Sequence, residues 1–96
     1  MAPVKRLVLD VLKPHDPPLV DFTARLGDVE SVDGATASLI ELDKEVQNVK
    51  LTVAGPSLDV DAVEAEIESL GGTVHSVDQV ACGERVVDER PTPQDR

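Results

Sequence analysis

The stretch Val4-Lys5-Arg6-Leu7-Val8-Leu9-Asp10-Val11-Leu12 decides the fold. Leu7, Leu9 and Val11 recur at period two, and Val8, Asp10 and Leu12 fill the alternate positions. That alternation predicts a strand, and apolar residues on both of its sides place it in the interior of a sheet. Lys13-Pro14-His15 is expected to end it, because proline donates no hydrogen bond and fixes φ.

Working outward, Asp16-Pro17-Pro18 is a helix-start signal, with Asp16 as the cap and proline in the first turn. Leu19, Phe22 and Leu26 follow at helical spacing. Gly27 is then either the residue just past the helix or part of a turn running on towards Val29. After the Asp33-Gly34 turn, Ala35 to Leu42 alternates, with Ala37, Leu39 and Glu41 on one side and Thr36, Ser38, Ile40 and Leu42 on the other. A short polar link, Asp43 to Asn48, leads into Val49–Ala54, which alternates again, so the two strands form an antiparallel hairpin. Gly55-Pro56-Ser57 breaks the chain. Ser57 or Asp59 caps a second helix with Val60, Val63, Ile67 and Leu70 on one stripe. Gly71-Gly72 stops that helix, and Thr73 to Cys82 is the last strand. Its valines at 74, 77 and 80 are spaced by three, which implies a bulge.

The element order is β-α-β-β-α-β. It predicts an α+β, ferredoxin-like βαββαβ sandwich, with a four-stranded antiparallel sheet and two helices on one face. In the usual strand order the first strand lies between the third and fourth. Residues 1–83 then make one domain, and 84–96 a charged, proline-bearing tail, read as disordered from Glu89 to Arg96.

Composition narrows the partners. Nineteen Asp and Glu against nine Lys and Arg give a formal net charge of −10. A phosphate-binding surface needs the opposite sign, so no nucleic acid is expected as partner. Apolar runs reach only three residues, so no membrane span is expected either. A lone cysteine, Cys82, and an N-terminus without an apolar leader suit a reducing cytoplasm. Self-repulsion at −10 opposes compaction in dilute buffer and fades in molar salt, where the Debye length is about 3 Å. With only four lysines and a single aromatic residue, Phe22, the chain reads as adapted to a salt-rich cytoplasm.

Arg6-Leu-Val-Leu-Asp-Val-Leu-Lys-Pro-His15 resembles the opening of an uncharacterised archaeal family, domain-of-unknown-function family 211. Glu41-Leu-Asp43, Asn48-Val-Lys50 and Leu70-Gly-Gly-Thr-Val-His-Ser-Val-Asp78 are similar to its later blocks. The resemblance runs from residue 3 to about 83. It implies a ferredoxin-like fold, an archaeal cytoplasm and self-assembly into a homo-oligomer, and it carries no catalytic residue with it.

Asp10 is the most informative single residue, since a carboxylate in the middle of a central strand needs a partner, an ion or water. Lys50 on the third strand is one expected partner, and His75 or Gln79 on the fourth another. Glu41, Asp43 and Glu45 recur at i, i+2, i+4. Together, Asp10, Glu41 and Asp43 form the candidate ligand set for a metal, with Ca²⁺ or Mg²⁺ the hard ions that carboxylates suit. Against this stands a solvated hairpin edge with Asp43 capping its own turn. His15 and His75 lack zinc spacing with Cys82, and no nucleophile–base pair is recognisable.

Three functions therefore compete. A non-enzymatic self-assembling or binding module fits an open sheet face expected to carry Val8, Leu12, Ala37 and Leu39. A metal-ion or small-molecule sensor would hold its ligand between subunits, near Asp10, Glu41 and His75. An enzyme of unknown class comes third.

Overall fold

A computed structural model of the chain describes residues 2–88. The elements are β1 (Val4–Pro14), α1 (Leu19–Gly27), β2 (Gly34–Leu42), β3 (Val46–Ala54), α2 (Val60–Ser69) and β4 (Thr73–Cys82). The four strands form one antiparallel sheet in the order β2-β3-β1-β4. The ferredoxin-like α+β architecture expected from the sequence is the one observed, with β1 in the interior.

Several boundaries differ from the expectation. β1 runs through Lys13 to Pro14, because Lys13 and Pro14 still pair with Gln47 and Val46 of β3. The β2–β3 link is correspondingly tighter, only residues 43–45. Asp16 does not cap α1: Pro18 occupies the cap, no side chain bonds there, and Phe22 N donates to Pro18 O at 2.9 Å. The helix ends on Gly27 with Asp28 after it. In α2 the cap is Asp59, whose carboxylate accepts from Ala62 N at 3.1 Å. Its other end is closed by the two glycines. Gly71 N donates to Glu68 O (3.0 Å) and Gly72 N to Ile67 O (2.9 Å), the paired bonds of a Schellman motif. That motif needs a left-handed residue, and Gly71 has φ +86°.

Directly opposed residues in an antiparallel ladder project to the same side, so the registers assign the faces. Leu7, Leu9 and Val11 face the helices, opposite Val53, Leu51 and Val49. Phe22, Leu26, Val63 and Ile67 meet them from the helices, and all ten are essentially fully buried. Ala35, Ala37 and Leu39 stand opposite the same β3 residues. Ala37 and Leu39 therefore lie on the helix side, not on the open face as the sequence suggested. The three spaced valines of β4 also join this side. Val80, Val77 and Val74 oppose Leu7, Leu9 and Val11, and the register shifts between them are the bulges their spacing implied.

The open face is consequently polar. Thr36, Ser38, Asn48, Lys50, Thr52, Ser76 and Gln79 surround Val8, Asp10 and Leu12 of β1. Beyond β4, Gly83 N donates to Pro3 O, and Arg6 pairs with Asp88 at 2.8 Å. The part of the expected tail from Glu89 to Arg96 lies outside the described residues.

Candidate functional site

One irregularity builds the site. Pairing of β2 with β3 jumps from Leu39–Val49 to Glu41–Asn48, leaving Ile40 as an extra residue. Without that bulge Glu41 would share the side of Ala37 and Leu39. With it, Glu41 crosses to the open face, the side of Asp10. A comparable irregularity in β4 passes from Ser76 opposite Asp10 to Val74 opposite Val11, and His75 is the residue between.

The result is a shallow hollow of about 280 Å³ at the end of the open face, lined by Asp10, Leu12, Glu41, Asp43, Val46, Asn48 and His75. All three carboxylates of the expected ligand set line this one hollow, and so does His75. Glu45, the third member of the i, i+2, i+4 series, is not part of the wall, because β2 ends at Leu42 and the chain turns.

The hydrogen bonds show how each acid is held. Asp10 Oδ1 accepts from Asn48 Nδ2. Lys50 is directly opposite Asp10 in the register, yet the ion pairs among the described residues are Arg6–Asp88 and Arg25–Glu66. The expected Asp10–Lys50 pair is thus replaced by a neutral donor two residues away, and the Lys50 side of the strand is left to solvent. Gln79, the other expected neighbour, opposes Val8 and accepts from Arg6 Nε at 3.1 Å. Asp43 Oδ1 accepts from the N–H of the next residue, Lys44, and the Asp43 N–H donates to Val46 O at 3.0 Å, closing the turn through the main chain. His15 reaches the same turn, its Nε2 lying 2.9 Å from Asp43 O as the donor of that bond.

Chemically, the hollow offers carboxylate oxygens, an amide and an imidazole over an apolar floor of Leu12 and Val46. Among the described residues no three His, Cys, Asp or Glu side chains converge as a metal-holding group. Asp10 and Asp43 already accept hydrogen bonds from the protein, and a hard cation takes six or more oxygens. As they stand, these residues suit a ligand that shares its contacts with Asn48 and His75.

Sequence reasoning misses two residues. Asn48 falls in the expected linker, although its even spacing from Lys50 and Thr52 puts it on the open face once β3 begins at Val46. Lys13 falls in the expected strand break. It continues the parity of Leu7, Leu9 and Val11, and its side chain is 0% exposed on the helix side. Its ammonium donates to Pro14 O (2.7 Å) and Gln47 Oε1 (2.9 Å) and stands 5.8 Å from the centre of the Phe22 ring. Burial lowers its pKa, against a smaller opposing pull from the Asp16 carboxylate.

Two comparisons place the chain among known proteins. The sequence pattern of family DUF211, described as "Uncharacterized ArCR", matches residues 5–96. The "Uncharacterized protein MJ0319" of Methanocaldococcus jannaschii is 46% identical over 96 residues, covering all of this chain and 99% of that relative. No helix of the described residues is long and apolar enough to cross a membrane. The family suggested by the Leu-Asp-Val-Leu-Lys-Pro-His run at the end of β1 and the Gly-Gly-x-x-His-Ser-x-Asp run at the start of β4 is the one whose pattern matches, and the chain belongs to the DUF211 family.

Proposed function

We propose that the protein is a non-enzymatic module that works by binding, and that its first partner is a second copy of itself, joined along β2. The observation that carries this reading is where the sheet leaves its large aliphatic side chains exposed. Leu39, Ile40 and Leu42 lie on β2, and Val77 and Val80 on β4. All five belong to the two edge strands, and Leu39, Leu42, Val77 and Val80 lie on the helix side of the sheet, not on its open face.

An edge strand presents unpaired N–H and C=O groups, and monomeric proteins usually blunt it with lysine, proline or bulges. β4 is interrupted by its register shifts. β2 is regular from Gly34 to Leu39 and contains neither lysine nor proline. Two copies pairing antiparallel through β2 across a two-fold axis would make one eight-stranded sheet and cover Leu39 from both sides. The charge of −10 on each copy opposes this in dilute buffer and is screened in a salt-rich cytoplasm.

The test is light scattering at tens of micromolar protein, in about 0.1 M and about 2 M KCl, where screening lengths differ severalfold. A mass at least twice the 10.2 kDa chain is expected at high salt. Leu39→Lys should return it to the single-chain mass with an unchanged circular dichroism spectrum. A wild-type monomer at both salts overturns the reading.

A second reading is supported by the hollow, which gathers Asp10, Glu41, Asp43 and His75 at one place. In it the module senses a small ligand or a cation such as Ca²⁺ or Mg²⁺. Thermal melts with chelator and with millimolar divalent ion, at constant ionic strength, decide it. Binding raises the wild-type midpoint through mass action, and Asp10→Asn loses the increment. An identical midpoint in both solutions removes the cation.

A further inference from the structure

A buried ammonium is unusual in a domain this small, because desolvating a charge is costly unless its donors are used. Two of the three donors of Lys13 are used, on Pro14 O and on the Gln47 side chain. These partners stand on the last two rungs of the β1–β3 ladder, Lys13–Gln47 and Pro14–Val46, beside the hollow that Val46 and Asn48 line. Gln47 opposes Lys13 on one side and Leu42 on the other, and beyond that rung the β2–β3 connection is only Val46 and the turn at 43–45. Gln47 and Asn48 are adjacent in β3, so one faces the helices while the next faces the hollow and donates to Asp10.

We propose that Lys13 is a positioning residue for the hollow: from the helix side it anchors Gln47, and through the β3 backbone it fixes Asn48 and the Asp43 turn on the opposite side. A leucine or methionine at this place would fill the same space. It would not supply a directional bond to Gln47, which is what sets the rotation of β3 about its axis at this rung. The His15–Asp43 contact holds the turn from the β1–α1 loop, so the hollow is tied from below and from beside. This inference rests on the sensor reading for its consequence only, since the tie exists with or without a ligand.

The experiment uses amide exchange and side-chain resonances of the full chain by NMR in molar KCl, with no ligand added. Lys13→Met and Gln47→Leu each delete the tie from one end. Exchange of the Asp43 amide, which bonds to Val46 O, should quicken by about tenfold or more, as a local opening would. The Asn48 side-chain amide signals should move in both variants. The amides of Asp33 and Gly55, bonded to Ala54 O and Lys5 O at the far end of the sheet, should change by less than about twofold. Uniform quickening at both ends, or an unmoved Asn48 signal in both variants, overturns the proposal. If Lys13→Met does not fold, Gln47→Leu alone decides between these outcomes. A hollow that binds nothing would leave this result intact, and a failed tie would leave the ligand test open to its own outcome.

Discussion

The two sides of β1 are built from similar residues and meet different surroundings. Leu7, Leu9, Val11 and Lys13 point to the helices and are at most 2% exposed. Arg6, Val8, Asp10 and Leu12 point to the open face, where Thr, Ser, Asn, Gln and Lys side chains stand opposite the last three. Each side mixes aliphatic and charged residues, so hydrophobicity alone does not say which is the core. The covering layer does. On the helix side even a lysine is drawn in, provided its donors find oxygen. On the open side a carboxylate in the middle of the central strand needs only an amide neighbour, since water supplies the rest.

The largest expected break of that comparison is by truncation. Leu9→Ala opens a cavity between the sheet and both helices and should cost about 2–5 kcal/mol, the range for a buried leucine. Leu12→Ala, three residues along on the other side, removes a half-buried side chain and should cost less than about 1.5 kcal/mol, since part of that surface is already wet. Chemical unfolding in molar KCl compares the two. Equal losses would mean that the open face is covered after all.

The next effect concerns the polar partner of Asp10. Asp10→Ala leaves the Asn48 amide without its acceptor and should cost about 1–3 kcal/mol. Asp10→Asn keeps an oxygen at the same place and should cost less than about 1 kcal/mol, the net worth of one altered hydrogen bond. Lys50→Met should change stability by no more than about 0.5 kcal/mol, as for a surface substitution away from any network. If Lys50→Met were instead as costly as Asp10→Ala, the ion pair expected from register alone would be the true partner.

How far these features were legible follows from the same residues. The element order, the interior place of β1 and the β4 bulges were readable because each rests on local alternation or on a glycine or proline. The faces of β2 were not. One extra residue at Ile40 exchanges the sides beyond it, and nothing in Ser38-Leu39-Ile40-Glu41-Leu42 marks which residue is unpaired. The strict alternation therefore put Ala37, Leu39 and Glu41 together, when the fold sends the first two to the core side and Glu41 to the hollow. The carboxylates of the candidate site were found by type, whereas Asn48 was lost with the boundary of β3. Lys13 was lost because proline after it suggested an ending. At the end of a strand proline is tolerated when its missing donor faces no partner.

The smallest expected effect sharpens the comparison at Lys13. Replacing a buried charge by an apolar side chain of similar length is often neutral or favourable, so Lys13→Met should leave stability at pH 7 within about 1–2 kcal/mol of wild type or somewhat higher. The pH dependence separates the two chains more clearly. Burial lowers the Lys13 pKa in the fold below its usual value of 10.5, and the Asp16 carboxylate offsets only part of that. Below the folded value both states hold the proton, and the fold carries the whole cost of a buried charge. As pH rises between the folded and the unfolded value, the unfolded chain binds more protons than the folded one, so wild-type stability rises relative to Lys13→Met. Groups common to both chains cancel in the difference. The measurement is a pair of urea titrations at several pH values from about 7 to about 10, approaching the ordinary lysine range. The gap between wild type and variant should move in favour of wild type as the solution becomes more alkaline. Adding Asp16→Asn to wild type should start that movement at lower pH, because the carboxylate that holds the proton is gone. Parallel curves for wild type and Lys13→Met would mean that the ammonium is solvated in the fold, and Lys13 would then belong with the charged residues of the open side.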